Sequence, residues 1–261
     1  MVFSYLDDVC LAGDASAVAT AFATLKASYE QIGLKLNTDK CELIPCAGLH
    51  STVNRNLFPR DMVFRDDGNF ELLGGPIGSA NYCNQQTSRR VQKACELLKH
   101  LGELPDPQVA LLLLRQCASF GKLVFSLRLV PHFEHADALE EFDAAVHECF
   151  ESFMCANLAS KDWTLATLST KTCGLGLRST SRHSVAAYLA SRAACREFAL
   201  KLDPDHATDF VTPDAPPAKV LAEYNRRVGP ESRQVASTLC EKPPMQRDST
   251  IRPSTASSKM P

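Results

Sequence analysis

Apolar residues fall in short, strand-like runs over the first eighty positions and in longer runs with helical spacing after that. Val2-Phe3 and Val9-Cys10-Leu11 flank Ser4-Tyr5-Leu6-Asp7-Asp8, a pattern that predicts two strands of a tight hairpin with an acidic pair at or beside its turn. Gly13-Asp14 follows as a turn with Asp14 as a helix N-cap. Val18, Phe22, Leu25, Tyr29 and Ile32 then mark one face of a helix over 15–32, closed by Gly33. Leu34-Lys35-Leu36 and Cys41-Glu42-Leu43-Ile44 read as short strands around a polar Asn37-Thr38-Asp39 turn. The 46–61 stretch lacks periodicity and reads as a loop. Asp66-Asp67-Gly68 between Met62-Val63-Phe64-Arg65 and Asn69-Phe70-Glu71-Leu72-Leu73 predicts a second hairpin, because its turn favours Asp-Gly. Leu73-Gly74-Gly75-Pro76-Ile77-Gly78 then lets the backbone bend close to a neighbour.

From Asn84 the spacing turns helical. Val91, Ala94, Leu98 and Leu101 form one stripe, 109–127 a second helix, and Leu139, Phe142, Val146, Phe150 and Phe153 the stripe of a third over 136–156. A fourth is expected over 184–202. Past Lys201 the pattern fades into prolines and polar residues with one short helical candidate at 219–227, so disorder is expected from 203 onward.

Composition adds constraints. The 261 residues are 45% hydrophobic and 22% charged, ordinary globular proportions that allow one or two domains. A net charge of -2 argues against a globally basic nucleic-acid binder, but the distribution is uneven. Arg89, Arg90, Lys93, Lys99, Arg115, Lys122 and Arg128 dominate the 84–130 stretch, whereas every charge over 131–160 is acidic. Arg89-Arg90-Lys93 covers about one helical turn and could meet a phosphate backbone, against the plainer reading of a solvated helix face. The N-terminal residues do not read as a signal peptide, and the longest apolar run, 109–114, meets Arg115 at once and reads as a buried helix face rather than a membrane span. Eleven cysteines without a CxxC read as free, mostly buried thiols of an intracellular, non-secreted protein. His132, His135, His147, Cys149 and Cys155 lack the tight spacing of a zinc finger. Trp163, the only tryptophan, is expected to anchor helix packing.

The acidic hairpin carries the candidate chemistry. Two carboxylates on a rigid tip suit Mg²⁺ or Mn²⁺, hard cations that take oxygen ligands. Tyr5-Leu6-Asp7-Asp8, a helix of about twenty residues, Gly33-Leu34-Lys35-Leu36-Asn37, Lys40-Cys41-Glu42 and then Leu73-Gly74-Gly75-Pro76-Ile77-Gly78 follow in that order. This order resembles the C-terminal half of the palm of reverse transcriptases, those of non-LTR, LINE-like retroelements in particular. Cys173-Gly174-Leu175-Gly176-Leu177-Arg178-Ser179 with Ala186-Ala187-Tyr188-Leu189-Ala190-Ser191 also looks like the region beyond the thumb in retroelement-derived proteins.

The resemblance implies an α+β fold. Its parts would be a partial palm over 1–80 (a small antiparallel sheet covered by a helix), a helical thumb- or connection-like region over 81–202 and a disordered tail over 203–261. It implies RNA-directed DNA polymerase chemistry, with Asp7 and Asp8 as catalytic metal ligands and Asp8 the less strict of the two. Tyr5 would pack near the primer end, and Lys40 would face the leaving pyrophosphate. The Gly74-Gly75 segment would grip the primer, and Arg89, Arg90 and Lys93 would meet the template–primer duplex. The implied partners are an RNA template, a DNA primer and deoxynucleoside triphosphates; no membrane is called for, and no strong sign of an oligomer is present. The family's site also needs an aspartate on an upstream strand and a fingers region, and only four residues precede Tyr5. The expectation is therefore a polymerase fragment inactive alone, or else a non-catalytic nucleic-acid-binding remnant using the basic 89–128 surface.

Overall fold

The two apolar runs at the start of the chain pair as β1 (Val2–Tyr5) and β2 (Asp8–Leu11), antiparallel, with Val2 opposite Leu11 and Tyr5 opposite Asp8. In this computed structural model the described residues are 1–5, 8–46, 53–202, 214–230 and 233–234. They divide into two compact units, Met1–Gln86 and Thr87–Pro261, with the division inside one helix.

In the first unit, α1 (Ala15–Gln31) starts at Asp14, whose carbonyl accepts from the Val18 amide at 2.9 Å while its side chain makes no cap bond. Gly33, at φ +78°, ends it in a Schellman turn, the Gly33 amide reaching the Glu30 carbonyl (3.1 Å) and the Leu34 amide the Tyr29 carbonyl (2.9 Å). The stripe of Val18, Phe22, Leu25 and Tyr29 is only half-buried, and Ile32 is 69% exposed.

The sheet expected here is instead three separate two-stranded pairs, one of them parallel. Leu34-Lys35-Leu36 is not a strand. β3 (Glu42–Leu43) pairs in parallel with β4 (Val63–Phe64), pinned by the Arg65–Glu42 ion pair at 2.7 Å and by Thr38 donating to Asp61. The hairpin predicted across Asp66-Asp67-Gly68 does not form. Gly68 does take φ +67°, but Asp67 accepts from the Asn69 amide at 3.1 Å, and this Asx turn redirects the chain. The ladder forms one turn later, between β5 (Phe70–Leu72) and β6 (Gly75–Ile77), around Leu73 (φ +49°) and Gly74 (φ +78°). Positive φ at both central residues gives the twist that a two-residue hairpin needs.

The second unit is helical. α2 (Ala80–Gly102) buries Val91, Ala94, Leu98 and Leu101, and α5 (Ala136–Met154) buries Leu139, Phe142, Val146, Phe150 and Phe153. Both stripes are those the spacing predicts. The long helix expected over 109–127 is broken. α3 (Pro107–Leu113) is capped by the Asp106 carboxylate, which accepts from the Gln108 amide (2.9 Å) and the Val109 amide (3.2 Å). A π turn at Leu114–Ala118 and a 3₁₀ turn at Phe120–Lys122 lead into α4 (Val124–Leu129). The 107–129 segment contains an 18-residue window of mean hydropathy 1.4, apolar enough to cross a membrane. It is kinked, however, and Ala110, Leu114, Ala118, Leu123 and Leu127 all lie in the core.

A short helix missed by the pattern, α6 (Ser160–Thr167), brings Trp163 against the core, stacked on His147 at 4.2 Å. α7 (Thr180–Leu202) begins four residues earlier than predicted. There Asp143 accepts from the Thr180 and Ser181 amides (2.7 and 3.1 Å) and from the Ser179 and Thr180 hydroxyls (2.6 and 2.7 Å).

The disorder expected from 203 is overturned in part. Residues Pro216–Arg227 form α8, whose Val220, Leu221 and Tyr224 pack on Val185, Tyr188 and Leu189 of α7. The rest of that call, 203–213 and most of the terminus, lies outside the described residues. Of the described cysteines Cys83 and Cys149 alone are buried, and Cys46, Cys117, Cys155, Cys173 and Cys195 are exposed. The expectation of mostly buried thiols is therefore corrected.

Candidate functional site

Residues on facing strands of an antiparallel pair share a face when they are opposite. Tyr5 and Asp8 are such a pair at the hairpin tip, with Phe3 and Cys10 next along the same face. Tyr5 is 61% exposed and Asp8 is exposed as well. The loop between them is Leu6-Asp7, and Asp7, the first catalytic and metal-ligating call, lies outside the described residues. Below the tip the Met1 and Ala12 backbones exchange hydrogen bonds at 2.7 and 2.9 Å, so the ladder runs the full length of both strands.

The other predicted positions of the first unit belong to different elements. Lys40 ends a 3₁₀ turn at Thr38–Lys40, is exposed and makes no ion pair among the described residues. Gly74 supplies the second positive φ of the β5–β6 turn, while Gly75 is buried opposite Leu72. Gly78 (φ +148°) packs against the Asn69 backbone and side chain, leaving no room for a Cβ. The Asn69 side-chain oxygen in turn accepts from the Ser79 amide at 2.7 Å. Asp67, set aside in the sequence as turn chemistry, is held below the usual carboxylate range by the Asn69 side-chain amide first and the Asn69 backbone amide second.

The basic stripe of α2 does not act as a unit. Arg90 donates to the Ser126 hydroxyl at 2.7 Å and its guanidinium lies 5.5 Å from the Phe125 ring centre, so it ties α2 to α4. Arg89 and Lys93 stay exposed.

The fit of a divalent cation can be judged from donors. Among the described residues the hairpin tip presents one carboxylate, Asp8, and no group of three His, Cys, Asp or Glu side chains could hold a metal. Mg²⁺ prefers near-octahedral oxygen coordination, so Asp8 by itself is one ligand of a set. Of the residues weighed for zinc, His132 is engaged in other bonds. His132 Nε2 faces a guanidinium nitrogen of Arg227 at 2.8 Å and Nδ1 faces Ser184 Oγ at 2.8 Å, so both ring nitrogens are engaged.

That His132–Ser184–Arg227 array, spread over 95 residues of sequence, could not be seen from spacing. Its polarity is wrong for a nucleophile. Arg227 has only donors, which leaves the Nδ1 proton pointing at a serine that is itself fully buried and donates to the Ser181 carbonyl at 2.9 Å. No protein-family model, curated protein or solved structure matches this chain.

Proposed function

We propose that this chain is the hairpin-bearing half of a reverse-transcriptase-like palm joined to a helical, thumb-like unit, and that alone it does not polymerise. The observation that carries the reading is the Tyr5-x-x-Asp8 hairpin, with the aromatic residue and the carboxylate paired on one exposed face. Further support is the incomplete layer around it. Val2 is 65% exposed, β1 and β2 pair with no third strand among the described residues, and α1 has no fully buried residue. A two-stranded pair with so little covered surface would gain stability from further strands, as a palm sheet would supply.

In the polymerase reading, Mg²⁺ would activate a primer 3′ hydroxyl and hold a triphosphate, with Asp7 and Asp8 among its ligands. No further carboxylate-bearing strand pairs with the hairpin among the described residues. The loss of one member of a catalytic set typically costs several orders of magnitude in rate. The purified 261-residue chain is therefore expected to give no primer extension on an RNA template with Mg²⁺ or Mn²⁺. Extension that disappears in Asp7→Ala and Asp8→Ala would overturn the inactivity and keep the family reading. Extension indifferent to both would remove the hairpin from the chemistry.

A second reading, a non-catalytic duplex-binding module, is favoured by the solvent-facing Arg89 and Lys93 on α2. Salt-dependent binding to an RNA–DNA duplex that weakens in the Arg89→Ala, Lys93→Ala double variant would support it.

A further inference from the structure

His132 sits in a 3₁₀ turn, His132–Glu134, just before α5, and is shared between α7 and α8. Arg227 closes the far end of α8 over it. One guanidinium nitrogen lies 2.8 Å from His132 Nε2, another donates to the Ser181 carbonyl at 3.0 Å, and Nε donates to Glu223 at 2.6 Å. The donor directions form one consistent chain. Arginine cannot accept, so His132 Nε2 must carry a lone pair, and Nδ1–H donates to Ser184, whose hydroxyl donates to the Ser181 carbonyl. A protonated imidazole would set an N–H and a positive charge against the guanidinium, and the bond would become a repulsion.

We propose that α8 is an acid-released strap, held over the Val185–Tyr188–Leu189 face of α7 by neutral His132 and let go when that ring takes up a proton. The charged surroundings agree. From α8 the ring is faced by Arg227, with Glu223 already shared by Arg226 and Arg227. From α5 the Glu140 carboxylate acts on it, and from its own turn come Glu134, whose carboxyl burial pushes up, and His135. α7 contributes the Ser184 hydroxyl and the Ser181 carbonyl. Burial first and Arg227 second hold His132 below its ordinary value of 6.5, against the weaker opposing pull of Glu140. The docked state prefers the neutral ring, so its stability is complete above 6.5 and is lost as the pH falls through and below that value. His135 faces the Thr87 hydroxyl of α2 at 3.1 Å, so its own pH dependence belongs to the main core and is carried by the α5 reference.

Further contacts also fasten the strap. Its apolar contact is the small cluster of Val220, Leu221 and Tyr224, and Asn225 exchanges hydrogen bonds with the Gln234 backbone at 2.7 and 2.8 Å. Opening would expose an apolar strip of α7 while the main core, built from other residues, stays closed.

The test is amide hydrogen exchange on the full chain from about pH 7.5 to about pH 5, corrected for intrinsic rates and referenced to α5. The strap predicts that α8 protection falls by up to about tenfold per pH unit once below the imidazole range, as one linked proton requires. His132→Gln, a neutral side chain with one acceptor and one donor, is expected to keep α8 protected across the same range. Flat α8 protection in the wild type, equal loss in His132→Gln, or loss in step with α5 would each overturn the proposal. Should the variant fail to fold, the wild-type ring nitrogens decide by their NMR shifts. The proposal requires a neutral Nδ1–H tautomer at neutral pH and a titration below 6.5, and either Nε2–H or a titration at or above 6.5 defeats it.

Discussion

Asp143 shows how one carboxylate can hold two elements together. It lies on α5, 36 to 38 residues from its partners, and closes the start of α7 with four hydrogen bonds. Removing it leaves several half-buried donors unmet, so Asp143→Ala is expected to cost about 3 kcal/mol, read from the urea midpoint. No local pattern announces this residue, since it falls among other acidic positions of the same helix and its partners are set by tertiary packing. Arg90 carries the same lesson. In the sequence it is one of three adjacent cations, yet its bond to Ser126 is made across 36 residues. Arg90→Ala should lower stability by about 1 kcal/mol, while Arg89→Ala and Lys93→Ala leave it unchanged. Chromatographic or thermal comparison of the three variants would show whether that separation holds. For the thiols, burial and then Glu148 push Cys149 up to about 11. Native alkylation should therefore label Cys46, Cys117, Cys155, Cys173 and Cys195 and spare Cys149, as mass spectrometry can read.

At the scale of elements, the stripes were legible because burial follows helical period so closely in α2 and α5. Every position of the two spacing patterns is in the core, and Phe142→Ala, at 0% exposure, should cost about 3–5 kcal/mol in a melting or urea experiment. Breaks and pairings were harder to read. Apolar residues recur on both sides of Arg115, Gln116 and Lys122, and nothing in that recurrence marks the change at Ser119, where the backbone leaves helical geometry at ψ −133°. The Asp-Gly signal at 67–68 correctly marked a turn but not which strands it would join, because Asn69 drew the Asp67 side chain into a local bond and the ladder formed around Leu73-Gly74 instead. α6 escaped notice because only Ala166 of its residues is fully buried.

For the whole molecule, burial is distributed very unequally. In the first unit the buried apolar side chains among the described residues are Pro45, Phe58, Met62, Pro76 and Cys83, whereas the helical unit has a core drawn from α2, α3, α4, α5 and the turns between them. Opening free energies scale with buried contacts, so amides of α1 and the β1–β2 hairpin are expected to exchange much faster than those of α5. Equal protection in both units would contradict this. The candidate chemistry thus sits on the part of the chain with the least packing of its own, and this weakness was not visible from the α1 stripe. A stripe shows which face should be covered, and not whether anything covers it. Acid acts on the other unit. His135, 1% exposed and neutral down to about 4, is charged in the unfolded chain below about 6.5. Its contribution is complete above that value and drains away as the pH falls toward 4, by about 3 kcal/mol in all. Urea midpoints measured across that range should fall accordingly, and less steeply in His135→Gln.

The π turn at Leu114–Ala118 has a consequence for how this gene can change length. The Ser119 amide reaches back five residues, to the Leu114 carbonyl at 2.9 Å, so the turn holds one residue more than an α-helical turn would. Such a turn absorbs one extra residue locally, so deleting a single codon there, that of exposed Gln116, would close it to an ordinary α-helical turn and leave the register beyond it unchanged. Leu123 and Leu127 would keep their places in the core. Descendants of this sequence can vary the identity of Gln116 and can also lose its place in the count, whereas a deletion inside α5 would turn half of its stripe out of the core.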